Sequence, residues 1–177
     1  LPFVQVQLAS YQCMMEPIDF VPIRAVQEQL TRDVEHVSVV CAMDAGMPYD
    51  IHPKHKRPVG ERLAYQALSK VYGVYELADS PTLGYRTKTS GMADLEFKHC
   101  GYQLTLNGDL HDALELFVDG QAVTDYRFTV ERNHLRLYSA AITENTALEV
   151  RFAWKPYCSD PLYNSNGLPM LPFLTTL

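Results

Sequence analysis

The sequence predicts an α/β fold joined to an antiparallel β-sandwich-like domain, and three observations carry the prediction. Strand and helix patterns alternate over the first 73 residues, the segment 37–43 is nearly all apolar, and short alternating segments fill the chain after Gly73. Alternation of this kind marks βαβ connectivity, and a continuous apolar strand is what a parallel sheet covered on both faces requires. Many short strands between turn signals mark a sandwich.

Taken in order, Pro2-Phe3-Val4-Gln5-Val6-Gln7-Leu8 is a short strand rich in β-formers, followed by a loop through Met14-Met15-Glu16-Pro17. From Pro22, Ile23, Val26 and Leu30 recur at helical spacing, and proline suits the first turn of such a helix. Val37 to Met43 is the buried strand, closed by Asp44-Ala45-Gly46. A polar loop leads to a second helix from about Pro58 to Tyr72, with Val59, Leu63, Ala67 and Val71 on one face and Gly73 as the stop. Two parallel strands make no stable open sheet alone, so the remaining strands are expected from sequence upstream.

Beyond Gly73, strands are expected at Leu83–Thr89, Leu95–His99, Tyr102–Leu106, Leu114–Val118, Tyr126–Glu131, Leu135–Tyr138 and Ala147–Trp154. Asp119-Gly120 and Arg132-Asn133 are turn signals, and the second pairs Phe128 and Val130 with Leu135 and Leu137. The tail from Trp154 is too apolar to float in water and is expected to pack back onto a surface. The domain division is 1–75 and 80–177.

Composition narrows the function. Hydrophobic residues make up 47% of the 177 and charged residues 20%, the profile of a core-forming chain. A formal net charge of −6 argues against nucleic acid as partner. No apolar run reaches the length of a membrane span, and there is no basic-then-apolar leader. The start at Leu1-Pro2-Phe3, already strand-like and without an initiator methionine, gives the expectation that something upstream has been removed. Cys13, Cys41, Cys100 and Cys158 include no CxxC pair, which argues against zinc, and their spacing assigns no disulfide. No cofactor is expected.

The residues that suit chemistry lie in Tyr49-Asp50-Ile51-His52-Pro53-Lys54-His55-Lys56. His52 follows the C-terminal end of a central parallel strand, the edge where open α/β sheets place ligands. Asp50 or Asp44 is placed to accept the Nδ1 proton and leave Nε2 as a general base. The plainer reading of His52 is contact with a phosphate, a water or a neighbouring loop. Lys54, His55, Lys56 and Arg57 suit an acidic substrate such as a sialic acid carboxylate, or simply form a solvated loop. His36, His99, His111 and His134 lack metal-ligand spacing and read as surface or packing residues. Ser10 ends a strand but lacks the glycines of a nucleophile elbow. Trp154 and Tyr157 suit stacking on a sugar, or the core.

Together the pieces Leu1-Pro2-Phe3…Val6-Gln7-Leu8-Ala9, Met43-Asp44…Asp50-Ile51-His52-Pro53-Lys54…Pro58-Val59-Gly60-Glu61-Arg62-Leu63-Ala64, Val150-Arg151-Phe152-Ala153-Trp154 and Leu162-Tyr163-Asn164…Gly167-Leu168-Pro169…Pro172-Phe173 resemble a known family. It is that of the sialate O-acetylesterases and related carbohydrate acetylesterases, within the SGNH hydrolase superfamily. The resemblance covers both ends and the first half, while about 85–145 is matched in spacing more than in residues.

The resemblance implies a flavodoxin-like esterase core with β-rich appendages, here its C-terminal βαβα portion. It implies removal of O-acetyl groups from sialic acids or xylan-type sugars. A serine in a Gly-Gln-Ser motif attacks the acetyl carbonyl, glycine and asparagine donors hold the oxyanion, and the histidine matching His52 acts as base and then acid. Asp50 is the nearest match for the acidic partner, although the superfamily places that aspartate three residues before the histidine, where this chain has Tyr49. The Gly-Gln-Ser and oxyanion blocks are absent, so the nucleophile is expected on an upstream chain or segment. This chain alone is expected to be inactive, since losing a triad nucleophile costs roughly a million-fold in rate. A periplasmic or secreted location is expected. The competing reading is a non-catalytic carbohydrate-binding β-sandwich on an esterase remnant, with Trp154 in contact with sugar.

Overall fold

A computed structural model describes residues 1–15, 18–74, 77–159 and 162–177. Glu16 and Pro17 of the first loop, residue 75 at the expected domain limit, and Pro161 of the tail lie outside the described residues.

β1 (Phe3–Val6) and β2 (Val37–Val40) run parallel in one register from Phe3↔Val37 to Val6↔Val40. α1 (Val21–Asp33) connects them, with Pro22 in its first turn, and α2 (Arg57–Lys70) follows, with Pro58 in its first turn. The second strand is shorter than its apolar run. It stops at Val40, and Met43–Ala45 winds into a turn of 3-10 helix. The Ser10 hydroxyl donates to the Met43 carbonyl at 2.9 Å, where the chain has left the extended path.

Both helices turn a different face inward than their apolar spacing predicts. Ile23, Val26 and Leu30 of α1 are exposed, and Val21 and Arg24 are its buried residues. In α2 the row Val59, Leu63, Ala67, Val71 is at most half-buried, and Arg62 and Gln66 lie underneath. The reason is that loops pack behind these helices, and their carbonyls need donors. Arg24 reaches Lys155 O at 2.6 Å and Pro156 O at 3.3 Å. Gln66 donates to Ala78 O at 2.7 Å, and Arg62 to Cys41 O at 2.9 Å.

The second half is a sandwich of two four-stranded antiparallel sheets. One holds β3 (Thr82–Thr89), β4 (Met92–Lys98), β9 (His134–Tyr138) and β8 (Arg127–Glu131), in that order. The other is ordered β12 (Phe173–Thr176), β10 (Leu148–Phe152), β6 (Leu114–Val118), β7 (Gln121–Val123). β5 (Thr105–Leu106) pairs with β11 (Leu162–Tyr163) beside them. Phe128 pairs with Leu137 and Val130 with Leu135, as the Arg132-Asn133 turn predicts. Asp119 (φ 49°) and Gly120 (φ 79°) form the two-residue β6–β7 turn, whose positive φ at both positions suits strand twist. β7, β11 and β12 are additions to the predicted set, short or lying among prolines where alternation is hard to read.

Alternate residues of each strand fill the space between the sheets: Leu95 and Phe97, Leu135 and Leu137, Leu114 and Leu116, Val150 and Phe152. Each such side chain contributes ~2 kcal/mol on burial, so this layer supplies far more apolar stabilisation than the polar undersides of α1 and α2. Val39, Cys41 and Met43 join the same cluster as Met170 and Leu171 of the tail. Asn164 anchors that tail: its amide donates to His99 O (3.0 Å) and Asp79 O (3.2 Å), and its Oδ1 accepts from Leu168 N–H (2.9 Å). The molecule is thus a mixed α/β protein with mostly antiparallel sheets and, among the described residues, two α-helices. None of its described helices is long and apolar enough to cross a membrane.

Candidate active site

The loop carrying Asp50, His52 and Lys54 leaves the C-terminal end of β2 and enters α2. Its root is rigid. Gly46 passes so close to Ser10 that an added Cβ would lie 2.1 Å from the Ser10 carbonyl oxygen. Arg62 reaches back from α2 and grips Asp44 with two hydrogen bonds of 2.7 Å. Burial pushes the Arg62 guanidinium pKa down, but the Asp44 hydrogen bond and charge outweigh it and hold the value above the ordinary range. Pairing of this kind is what makes an ion pair with little exposure tolerable.

The tip is held more lightly. Met47 and Asp50 form an antiparallel bridge, Pro48 O accepts from the Gln12 N–H at 2.9 Å, and Asp50 Oδ1 accepts from the His52 main-chain N–H at 2.9 Å. This last contact is an Asx turn, in which a short carboxylate satisfies the backbone two residues on. Among the described residues, no carboxylate bonds the His52 ring. His52 is exposed, as are Lys54, His55, Lys56 and Arg57, and Arg57 is joined to Glu61 at 2.7 Å. The imidazole, next to a basic segment, is accessible from solvent.

The structure therefore brings His52, Asp50 and Lys54 into one loop, and commits Asp44 to Arg62. Trp154 lies elsewhere. It lines a groove between α1 and the tail, together with residues such as Ala25, Gln29, Arg86 and Leu174, none of which belongs to the 44–57 loop. Ser10 is buried, with its hydroxyl between Met43 O (2.9 Å) and Cys158 O (3.1 Å), so it has a structural part here. Cys41, Cys100 and Cys158 are buried as well, and burial, aided by Glu96, pushes the Cys100 thiol up to about 11.

Three of the four histidines read from the sequence as surface or packing residues have a carboxylate partner beyond the adjacent residue, and the fourth, His36, lies 3.3 Å from the neighbouring Glu35. His111 Nδ1 lies 2.8 Å from Asp109, beside the rings of Tyr126 and Phe128. His134 Nδ1 lies 2.8 Å from Asp94, and His99 lies 3.9 Å from Asp79. Asp109-Leu110-His111 repeats the spacing of Asp50-Ile51-His52, a signal legible in the sequence. The other two pairs join residues 40 and 20 positions apart and leave no local signature.

No family model matches the sequence, and no curated protein does. Among solved structures, the crystal structure of a carbohydrate acetylesterase from Xanthomonas citri superposes with a TM-score of 0.84 at 27% identity. The likeness covers 99% of this chain and 41% of that one, so the chain spans about two-fifths of the length of the structure it matches. This chain has an acetylesterase-like fold.

Proposed function

We propose that this chain is the histidine-bearing part of a serine-dependent carbohydrate O-acetylesterase of the SGNH type, its 1–75 segment the C-terminal portion of a flavodoxin-like core. The likeness to a carbohydrate acetylesterase along 99% of the chain is the observation that carries the reading. His52 is the general base. Its Nε2 takes the proton of a serine hydroxyl as that oxygen attacks the acetyl carbonyl. The imidazolium then gives the proton to the departing sugar hydroxyl, and a water activated by His52 releases acetate from the acetyl-enzyme. Asp50 is assigned as the acidic partner, because both Asp44 oxygens accept from Arg62, whereas Asp50 uses only Oδ1, on the His52 main chain, and keeps Oδ2 for the imidazole. Lys54 faces the substrate, an acetylated sialic acid or xylan-type sugar.

The serine comes from an upstream segment or chain that completes the sheet. Two features support this. β1 pairs with a strand on one side only among the described residues, and Phe3 and Val6 on it are exposed. Ile23, Val26, Leu30 and Val34 form a further exposed apolar row along α1 and just past its end, and apolar area of this kind marks a surface another element covers.

The test is labelling of the native sample with a fluorophosphonate, read by intact mass. A label on sequence upstream of this chain is expected. A label on this chain itself would contradict the division of the triad. No label would favour the second reading, a carbohydrate-binding sandwich without catalysis, which the groove at Trp154 supports.

A further inference from the structure

A cleft runs along the side of the molecule away from His52. Its wider part is a cavity of about 550 Å³ between α1, the start of β2, the end of α2 and the sandwich. A second hollow of about 290 Å³ continues it to Trp154. The two share Glu28, Arg32, Thr82, Leu83 and Leu171, so they are one trough. Lys70 closes α2 at the cavity and Arg57 opens it near His52, and at 1.5 Å per residue these ends stand about 20 Å apart. The trough is a separate place from the histidine loop.

Three observations suit it to a ligand. At one end a half-buried indole lines the wall, the group that stacks on the apolar face of a sugar ring. The lining also mixes Ser38, Ser80 and Thr82 with charged side chains, the mixed donors and acceptors that fix a polar ligand in a pocket of this size. Third, strain gathers here. Of the five non-glycine residues with positive φ among the described residues, Asp119 and Arg132 sit in hairpin turns and His36 (φ 63°) in the turn between α1 and β2. Of the other two, His99 (φ 60°) lines the cavity and Ala153 (φ 50°) precedes Trp154. Backbone held in this region is costly and collects where function demands it.

The charges choose the ligand. Arg32 is paired with Glu28 and Lys70 with Asp79. Lys98, in the same cavity, has no ion-pair partner among the described residues, whereas His36 and His99 lie beside Glu35 and Asp79. The cavity therefore carries a cationic surplus inside a chain of net charge −6. We infer that this trough binds a saccharide bearing a carboxylate, with a ring on Trp154 and the carboxylate at Lys98.

The inference stands apart from the esterase reading, and one set of titrations separates them. Full-length protein is titrated calorimetrically with a neutral xylo-oligosaccharide and with one carrying a glucuronic acid branch. The acidic ligand is expected to bind at least tenfold tighter. Lys98→Gln should erase that difference, and Trp154→Ala should weaken both ligands tenfold or more. Trp154→Phe, which keeps an aromatic face and guards against misfolding, should retain most of the affinity. Hydrolysis of a small acetyl ester should be unchanged in all three variants. Equal affinity for both ligands would overturn the carboxylate assignment. No binding, or binding indifferent to Trp154, would overturn the site, and neither result bears on His52.

Discussion

Asp50 and His52 are joined through the main chain: the carboxylate Oδ1 accepts the His52 N–H at 2.9 Å, and among the described residues no carboxylate holds the imidazole. Asp50 thus shapes the turn on which His52 stands. A short acceptor two residues before the histidine fixes the backbone first, and the ring remains exposed and able to rotate towards a partner group.

Asp50→Asn keeps an oxygen for that turn and removes the charge. If the proposed activity holds, in the full-length protein it should lower acetyl-ester turnover by on the order of 100-fold, within the range of lost acid-base assistance, with little change in melting temperature. Steady-state kinetics with a calorimetric melt decides this. Undiminished turnover would remove Asp50 from the acidic role.

Arg62→Ala leaves Asp44 without its bidentate partner and Cys41 O without a donor. Breaking a pair with this little exposure costs about 3 kcal/mol or more. Urea unfolding should show that loss with the slope unchanged, and a loss below 0.5 kcal/mol on the order of a surface pair would mean that the pair is not formed.

Gly46→Ala tests the root of the loop. The added methyl meets Ser10 backbone that has nowhere flexible to go, and overpacking of this kind costs about 1–3 kcal/mol. The variant should be less stable, and less active as well, because the displaced segment carries His52. Normal stability would show that the two segments are not in contact there.

Asp79 gives a pH signature. Burial raises its pKa, but hydrogen bonds from Lys70 and Gln66 more than offset this and hold the carboxyl below its ordinary value. A depressed folded pKa contributes stability above the unfolded value and loses it as pH falls through the folded one. The stability gap between the native protein and Asp79→Asn should therefore be full at neutral pH and shrink as pH drops below about 4. Melting curves across that range measure it, and a gap independent of pH would exclude an ionised Asp79 in this network.

How much of this was legible beforehand differs by element. Leu114–Val118 and the hairpin of Phe128, Val130, Leu135 and Leu137 were readable, because strict alternation and a two-residue turn leave one register. The helices were readable as helices from Pro22, Pro58 and their periodicity, but not their orientation. Periodicity reports that an apolar face exists, and only packing reports what covers it, so the buried Arg24, Arg62 and Gln66 gave no warning. In the site, the clustering of Asp50, His52 and Lys54 follows from adjacency. The Arg62–Asp44 clamp and the trough join positions far apart in sequence, such as His36 with His99 and Arg86 with Trp154, which no local pattern reveals.

Acetate release from an acetylated sugar by the full-length protein, with and without His52→Ala, tests the central claim most directly. The account predicts a fall of several orders of magnitude with the melting temperature preserved. Near-full activity in His52→Ala would contradict it.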